Sequence, residues 1–404
     1  MPTQLLEGIR VIDFTWAFVG PQTTKTLADC GAEVIKIESA TRPGFWRTTG
    51  PFKDNEPGLD SSIPFAMFNT NKLSATLNLT YPKALEIVKK LIATADIVID
   101  NFAGGTMDRM GLGYEVLKKT KPDIIMLSAC MHGQTGPYAT HPGFGNQLTA
   151  LCGFSHISGW PDREPVDLGA YTDLVAPQFN VLAIGAALDY RRRTGKGQFL
   201  DMAEYESGLH FMGPILLDYI ANQRVANRMG NLCPYAAPHN MYPCRGNEEW
   251  CAIVVSTDEQ WKNLCDVMGN PSWTSDIRFT TLTARKENEE ELDRLLGEWT
   301  INHSPDEVMS KLQAAGVPAG ARRTGIDIQL NKEPQLVDRQ YFSELDHEVI
   351  GTHKVRRPPY ILSKVPFDMR PAPLIGEHSE YVFKDILGMS DEELEELVIE
   401  GVIE

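Results

Sequence analysis

Apolar residues in the first half of the chain fall into short runs separated by stretches of helical spacing. Gly8 to Phe14 (GIRVIDF) is rich in β-branched residues and reads as a strand. Gln22 to Cys30 reads as a helix closed by Gly31, and Glu33 to Ile37 (EVIKI) as the next strand. From Pro82 to Thr94, Leu85, Val88, Leu91 and Ile92 fall three or four positions apart, which predicts an amphipathic helix. Asp96 to Ile99 and Asp123 to Leu127 are further strands, with a helical stretch around Tyr114 to Lys119 between them. This strand–helix rhythm predicts an α/β fold with a parallel sheet covered on both faces.

Beyond the sheet, Leu174 to Tyr190 is apolar and carries many small residues, which predicts a buried helix. The charged stretch RRRTGKGQ (Arg191 to Gln198) reads as an exposed helix end and turn, its arginines complementing the helix dipole. A strand, FLDMA, follows. Residues 225–325 differ in texture: a Pro-rich loop, a strand at Cys251 to Val255, and helices around Asp258 to Met268 and Asn288 to Thr300. They read as a smaller α+β domain after a large one at 1–224. The segment 326–404 adds β character and a Pro-rich stretch. It ends in a helix where Ser390, with Glu393 three residues on, forms a capping-box pattern.

Length supports more than one core, since 404 residues exceed a usual domain of roughly 150. With 42% hydrophobic and 23% charged residues the composition is that of a globular protein. A formal net charge of −16 argues against nucleic-acid binding, so a phosphate-bearing ligand would need a local basic cluster. The opening MPTQLLEGIRVIDF lacks the basic-then-apolar pattern of a signal peptide, and no window approaches ~20 apolar residues, so no membrane span is expected. Seven cysteines, an odd number without a CxxC pair, predict a reduced, cytoplasmic protein.

Candidate chemistry narrows by subtraction. The turn after the first strand, TWAFVGPQTT, holds one glycine, and neither G-x-G-x-x-G nor GxxxxGK[ST] occurs, so nicotinamide, flavin and NTP chemistry are not expected. His132 and His141, and the scattered Cys233, His239, Cys244 and Cys251, lack the close pairing of zinc ligands, so no metal site is expected. A G-x-S-x-G nucleophile elbow is absent as well. Asp173, in GAYTDLVAPQ, stands ahead of the apolar helix, where exposed N–H groups and the helix dipole stabilise a carboxylate. Taken alone, that position suits a helix cap better than a nucleophile.

Four separated stretches change this reading. They are VIDFTWAFVGP with GAEVIKIE; FNTNKLSATLNL with DIVIDNFAGGTMDRMGLGYE; YTDLVAP followed by RRRTGKGQFLDMAEYE; and NRMGNLCPYAAPHNMYP with PLIGEHSEYV. Together and in this order they resemble the family III CoA-transferases, over nearly the whole chain. The resemblance implies a Rossmann-like large domain to which the C-terminal segment returns, a small domain, and two interlinked subunits, as a homodimer or with a homologous chain. It implies Asp173 as the nucleophile, attacking an acyl-CoA to form a mixed anhydride. Coenzyme A and its thioesters would be substrates, with no tightly bound cofactor. A carboxylate, with an ordinary pKa of ~3.9, is ionised at neutral pH and needs no general base. By position the resemblance also assigns CoA contacts to Trp16, Ala17, Phe18, Val19, Lys72, Asn101, Phe102 and Arg109.

The chain departs from the formyl-CoA transferase branch at three places. Gly145 stands where that branch has an acidic residue, Phe18 where it has a glutamine, and its tetraglycine loop is not visible near Ala236 to His239. A larger acid, aryl- or alkyl-substituted, of the benzylsuccinate or phenyllactate type, is therefore expected over formate or oxalate. An α-methylacyl-CoA racemase of the same superfamily would need a histidine where this chain has Phe144, which cannot carry a proton.

Overall fold

The β-branched runs of the N-terminal half pair side by side. In the computed structural model, which describes residues 4–329 and 333–404, the strands are Arg10–Asp13 (β1), Glu33–Glu38 (β2), Leu73–Thr76 (β3), Ile97–Asp100 (β4), Ile125–Cys130 (β5) and Gln198–Ala203 (β6). The first three residues of the N-terminal stretch read above, and 330–332 of the C-terminal segment, lie outside the described residues. The sheet order is β3-β2-β1-β4-β5-β6, with every neighbouring pair parallel. This is the doubly wound Rossmann order, in which the direction of winding reverses between β1 and β4.

Alternation along each strand supplies both faces. Ile12, Ile35, Val98 and Met126 join Val88 and Leu91 of the helix Pro82–Ala93 on one side. Val11, Val34, Ile97 and Leu127 join Leu27 of the helix Val19–Asp29 (α1) on the other. Helix α1 starts three residues earlier than expected, because Pro21 is harmless in a first turn whose N–H groups lack partners anyway. Strand β3 is absent from the sequence reading: Leu73–Thr76 is four residues long and too rich in Ser and Thr to show a pattern.

Three helices after β5 bear on the site: Gly145–Leu151 (α2), Tyr171–Thr194 (α3) and Glu204–Phe211 (α4). The apolar stretch expected to form a buried helix is half-exposed. Helix α3 buries Val175, Ala176, Asn180, Ile184 and Ala187, while Leu174 lies outside and Leu182 is 71% exposed. Asn180 Nδ2 donates to Thr23 Oγ1 at 3.0 Å, tying α3 to α1. Its last turn matches the expected charged end: Arg192 and Arg193 are exposed, and Gly195 closes the helix at φ 71°.

The chain forms two compact units. The larger takes in the residues up to Phe154, Asp167–Arg224 and Gln335–Glu404. Its C-terminal part supplies Val382, Phe383, Val402 and Ile403 to the sheet core, and Ser390 and Glu393 exchange the two hydrogen bonds of a capping box. The smaller unit is Ser155–Val166 with Val225–Pro334. It has a three-stranded antiparallel sheet, and its own core includes Tyr242, Ile253, Trp261, Phe279 and Leu296.

Candidate active site

A doubly wound sheet leaves a crevice at the carboxyl ends of its strands where the winding reverses. A cavity of about 350 Å³ lies there, entirely within the larger unit. Trp16, Ala17 and Val19 reach it from the turn after β1, Asn101 and Phe102 from the turn after β4, and Cys130 and His132 from β5 and beyond. Asn101 Oδ1 accepts the Trp16 main-chain N–H at 3.1 Å and so fastens the two turns at the reversal point.

Asp173 enters the cavity from the first turn of α3. It does not cap the helix: the N-cap is Ala170, and no side chain caps there. Asp173 is only 8% exposed, and its Oδ2 is buried without a hydrogen-bond partner. Burial pushes its acid up to about 6, against a smaller opposing pull from its own main-chain N–H. Gly145, the first residue of α2, makes the room. A Cβ there would lie 1.7 Å from Asp173 Oδ2 and 2.9 Å from Ala170 Cα, so only glycine lets the carboxylate sit where it does.

A second carboxyl shares the cavity. Glu204 follows directly on β6 as the first residue of α4 and is 5% exposed. Burial, and then the charge of Asp173, push its acid well above the usual carboxylate range. Among the described residues no lysine or arginine lines this cavity to offset the two. Each negative charge disfavours the other, so the pair resists double ionisation.

Two of the residues expected to contact CoA lie away from this cavity. Lys72 lies fully buried, its Nζ donating to Asn69 Oδ1 at 2.8 Å and Pro21 O at 3.0 Å and facing Asp13 at 3.3 Å. It does not line the cavity that holds Asp173, because the buried Asp13 carboxylate demands a cation there. Asp13 is held below its ordinary range: burial raises it, but Lys72, Lys36 and the hydroxyls of Thr15 and Thr24 outweigh burial. Phe18 likewise turns from the cavity. Its ring centroid lies 4.7 Å from that of Phe68 and 5.5 Å from that of Trp46, in an aromatic cluster.

A larger cavity of about 590 Å³ adjoins the first, sharing Trp16 and Phe102. The exposed Arg42, in the turn after β2, lines it. Arg109 is exposed nearby on the chain after β4 and donates to Thr106 Oγ1 at 2.8 Å; Thr106 lines the first cavity. The sequence reading passed over Arg42, Glu204 and any role for His132. All three follow the carboxyl end of a sheet strand, and that shared position is the signal that could have found them.

Comparison with known proteins bears on this geometry. The sequence model of CoA-transferase family III matches residues 6–379. The chain is 33% identical to the succinyl-CoA–D-citramalate CoA-transferase of Chloroflexus aurantiacus, over 100% of this chain and 99% of that protein. It is 31% identical to the succinyl-CoA:glutarate CoA-transferase of Mus musculus, over 99% and 90%. Among solved structures, a CAIB/BAIF family protein from Brucella suis matches with a TM-score of 0.86 and 32% identity, covering 95% of this chain and 100% of that one.

Proposed function

The chain belongs to CoA-transferase family III, and from that premise we propose that its transfer reaction runs through acylation of Asp173. The observation that carries the reading is Asp173 itself: its Oδ2 is buried and unpartnered, and the residue lines a cavity at the reversal point of the sheet. An orphaned buried carboxylate oxygen costs folding free energy, so its presence calls for a role other than stability. Here it is a nucleophile without competing donors.

The carboxylate oxygen attacks the thioester carbonyl, the C–S bond breaks with its electron pair on sulfur, and an aspartyl-acyl anhydride remains. The acceptor carboxylate displaces the donor acid from the anhydride. The CoA sulfur then attacks the new acyl carbon, releasing product and restoring Asp173. Burial keeps water from hydrolysing the anhydride. The pantetheine arm passes Trp16 and Phe102 between the two cavities, and Arg42 and Arg109 meet phosphate oxygens at the rim.

For substrates, we take a substituted dicarboxylic acid as acceptor and a thioester of the succinyl-CoA kind as donor. The relatives named for D-citramalate and glutarate support the dicarboxylate. Trp16, Met131 and Phe144 in the cavity wall support an alkyl or aryl substituent, of the benzylsuccinate type. The working unit is a cytoplasmic homodimer, or a heteromer with a homologous subunit.

The test is to incubate the protein with candidate acyl-CoAs, trap with hydroxylamine, and locate the adduct by peptide mass. The adduct is expected on the peptide holding Asp173. Asp173→Ala is expected to lose transfer by ~10³-fold or more while CoA affinity stays nearly intact. Equal activity in that variant removes the mechanism.

A further inference from the structure

We propose that Glu204 is the proton store of the reaction: neutral while Asp173 is a free carboxylate, it gives its proton to the CoA sulfur as Asp173 becomes acylated. This rests on Asp173 being the nucleophile. The geometry is that of two carboxyls lining one cavity, one 8% and the other 5% exposed, with no lysine or arginine among the described residues of the wall. Among the described residues no side-chain hydrogen bond holds Glu204, and Asp173 is the charged group that acts on it.

The other groups near it do not compensate a second negative charge. Cys130, His132 and His141 share the cavity from the chain at and after β5, and burial pushes the Cys130 thiol up to about 11. His132 is pushed down by burial and by His141, which favours its neutral form. Strand β6 brings Asp201, and α4 itself brings Tyr205 and Glu206. The elements packed on α4 bring Tyr171 from α3, Cys152 just after α2, and Asp218 and Tyr219 from the helix Gly213–Asn222.

Charge in the cavity is then constant through the acylation. Before it, Asp173 is negative and Glu204 neutral. As the C–S bond breaks, its electron pair goes to sulfur, which takes the Glu204 proton, and the O–H pair stays on Glu204. Asp173 is now a neutral anhydride, Glu204 a carboxylate and CoA a thiol. When CoA reattacks, Glu204 takes the proton back from sulfur, restoring the first state. Without this exchange a thiolate would have to form beside buried Asp173 and Glu204, in a cavity whose wall holds no lysine or arginine among the described residues.

The experiment is the pH dependence of kcat/KM for transfer by the full chain and by Glu204→Gln and Glu204→Asp, with hydroxylamine trapping run in parallel. In the wild type, activity belongs to the singly protonated pair, so the profile has an acidic limb and an alkaline limb. Glu204→Gln is expected to lose about 10²-fold in kcat and to lose the alkaline limb. Glu204→Asp is expected to keep that limb. A residue that only packs the site would not move a limb in this way. If the Glu204→Gln profile superimposes on the wild type, with kcat within about two-fold, the proposal falls while trapping on Asp173 still stands. If the wild type gives no adduct at Asp173, both fall together.

Discussion

At Asp173, reactivity and folding cost have one cause. Burial raises its acid from the ordinary 3.8 to about 6, so the folded protein holds this proton more tightly than the unfolded chain does. Stability linked to this group is therefore fully present below about pH 4 and lost as pH rises through about 6. An acid raised from 3.8 to about 6 corresponds to about 2–3 kcal/mol of stability forgone at neutral pH. Asp173→Asn, which cannot ionise, is expected to unfold later in urea than the wild type at pH 8 by about that amount. The gap should close as pH falls towards 4, and a gap of equal size at both pH values would refute the burial argument. The acidic limb of the activity profile follows from the same group, with transfer falling below about pH 6 as the nucleophile takes up its proton.

At the scale of elements, the turn after β1 is held by a buried charge network rather than by a glycine-rich loop. Asp13 accepts from Thr15 N at 2.8 Å and Thr24 Oγ1 at 2.7 Å and pairs with Lys72, so β1, α1 and the approach to β3 are tied at one point. Removing one partner of a fully buried pair typically costs about 3–5 kcal/mol. Lys72→Ala is thus expected to lower the urea midpoint strongly while changing the KM for the CoA thioester by less than about two-fold. A large KM change with unchanged stability would return Lys72 to the ligand. The sequence placed most elements because periodicity reports burial directly, as for Leu85 to Ile92 or the Ser390 cap. It misjudged α3, since small apolar residues such as Gly185 and Ala186 suit both a core and a surface awaiting a partner.

For the whole molecule, the acidic chain also carries exposed apolar surface. In the helix Gly213–Asn222 no residue is buried, and Leu216, Leu217, Tyr219 and Ile220 stand exposed, Ile220 at 69%. Apolar faces of this kind mark contact with another chain more often than bare surface. A second subunit, as proposed above, is expected to cover them. Leu217→Glu with Ile220→Glu is expected to shift sedimentation from an oligomer towards the 45.0 kDa chain and to reduce transfer with it. An unchanged, active oligomer would show that this helix faces something else. Among the described residues no helix is long and apolar enough to cross a membrane.

The sequence by itself determined the strand–helix rhythm, the different texture of 225–325, the family resemblance and Asp173 as the candidate nucleophile. Each of these depends on local spacing or on motifs contiguous in the chain. Only the tertiary structure decided that Asp173 is orphaned rather than capping, that Gly145 makes its room, that Lys72 serves Asp13, and that Glu204 shares the cavity. Those facts depend on which strand ends lie side by side, and residues 31 positions apart, such as Asp173 and Glu204, meet only because α3 and β6 return the chain to the same edge of the sheet. Desolvation and like-charge repulsion act through space, so no pattern along the chain records them.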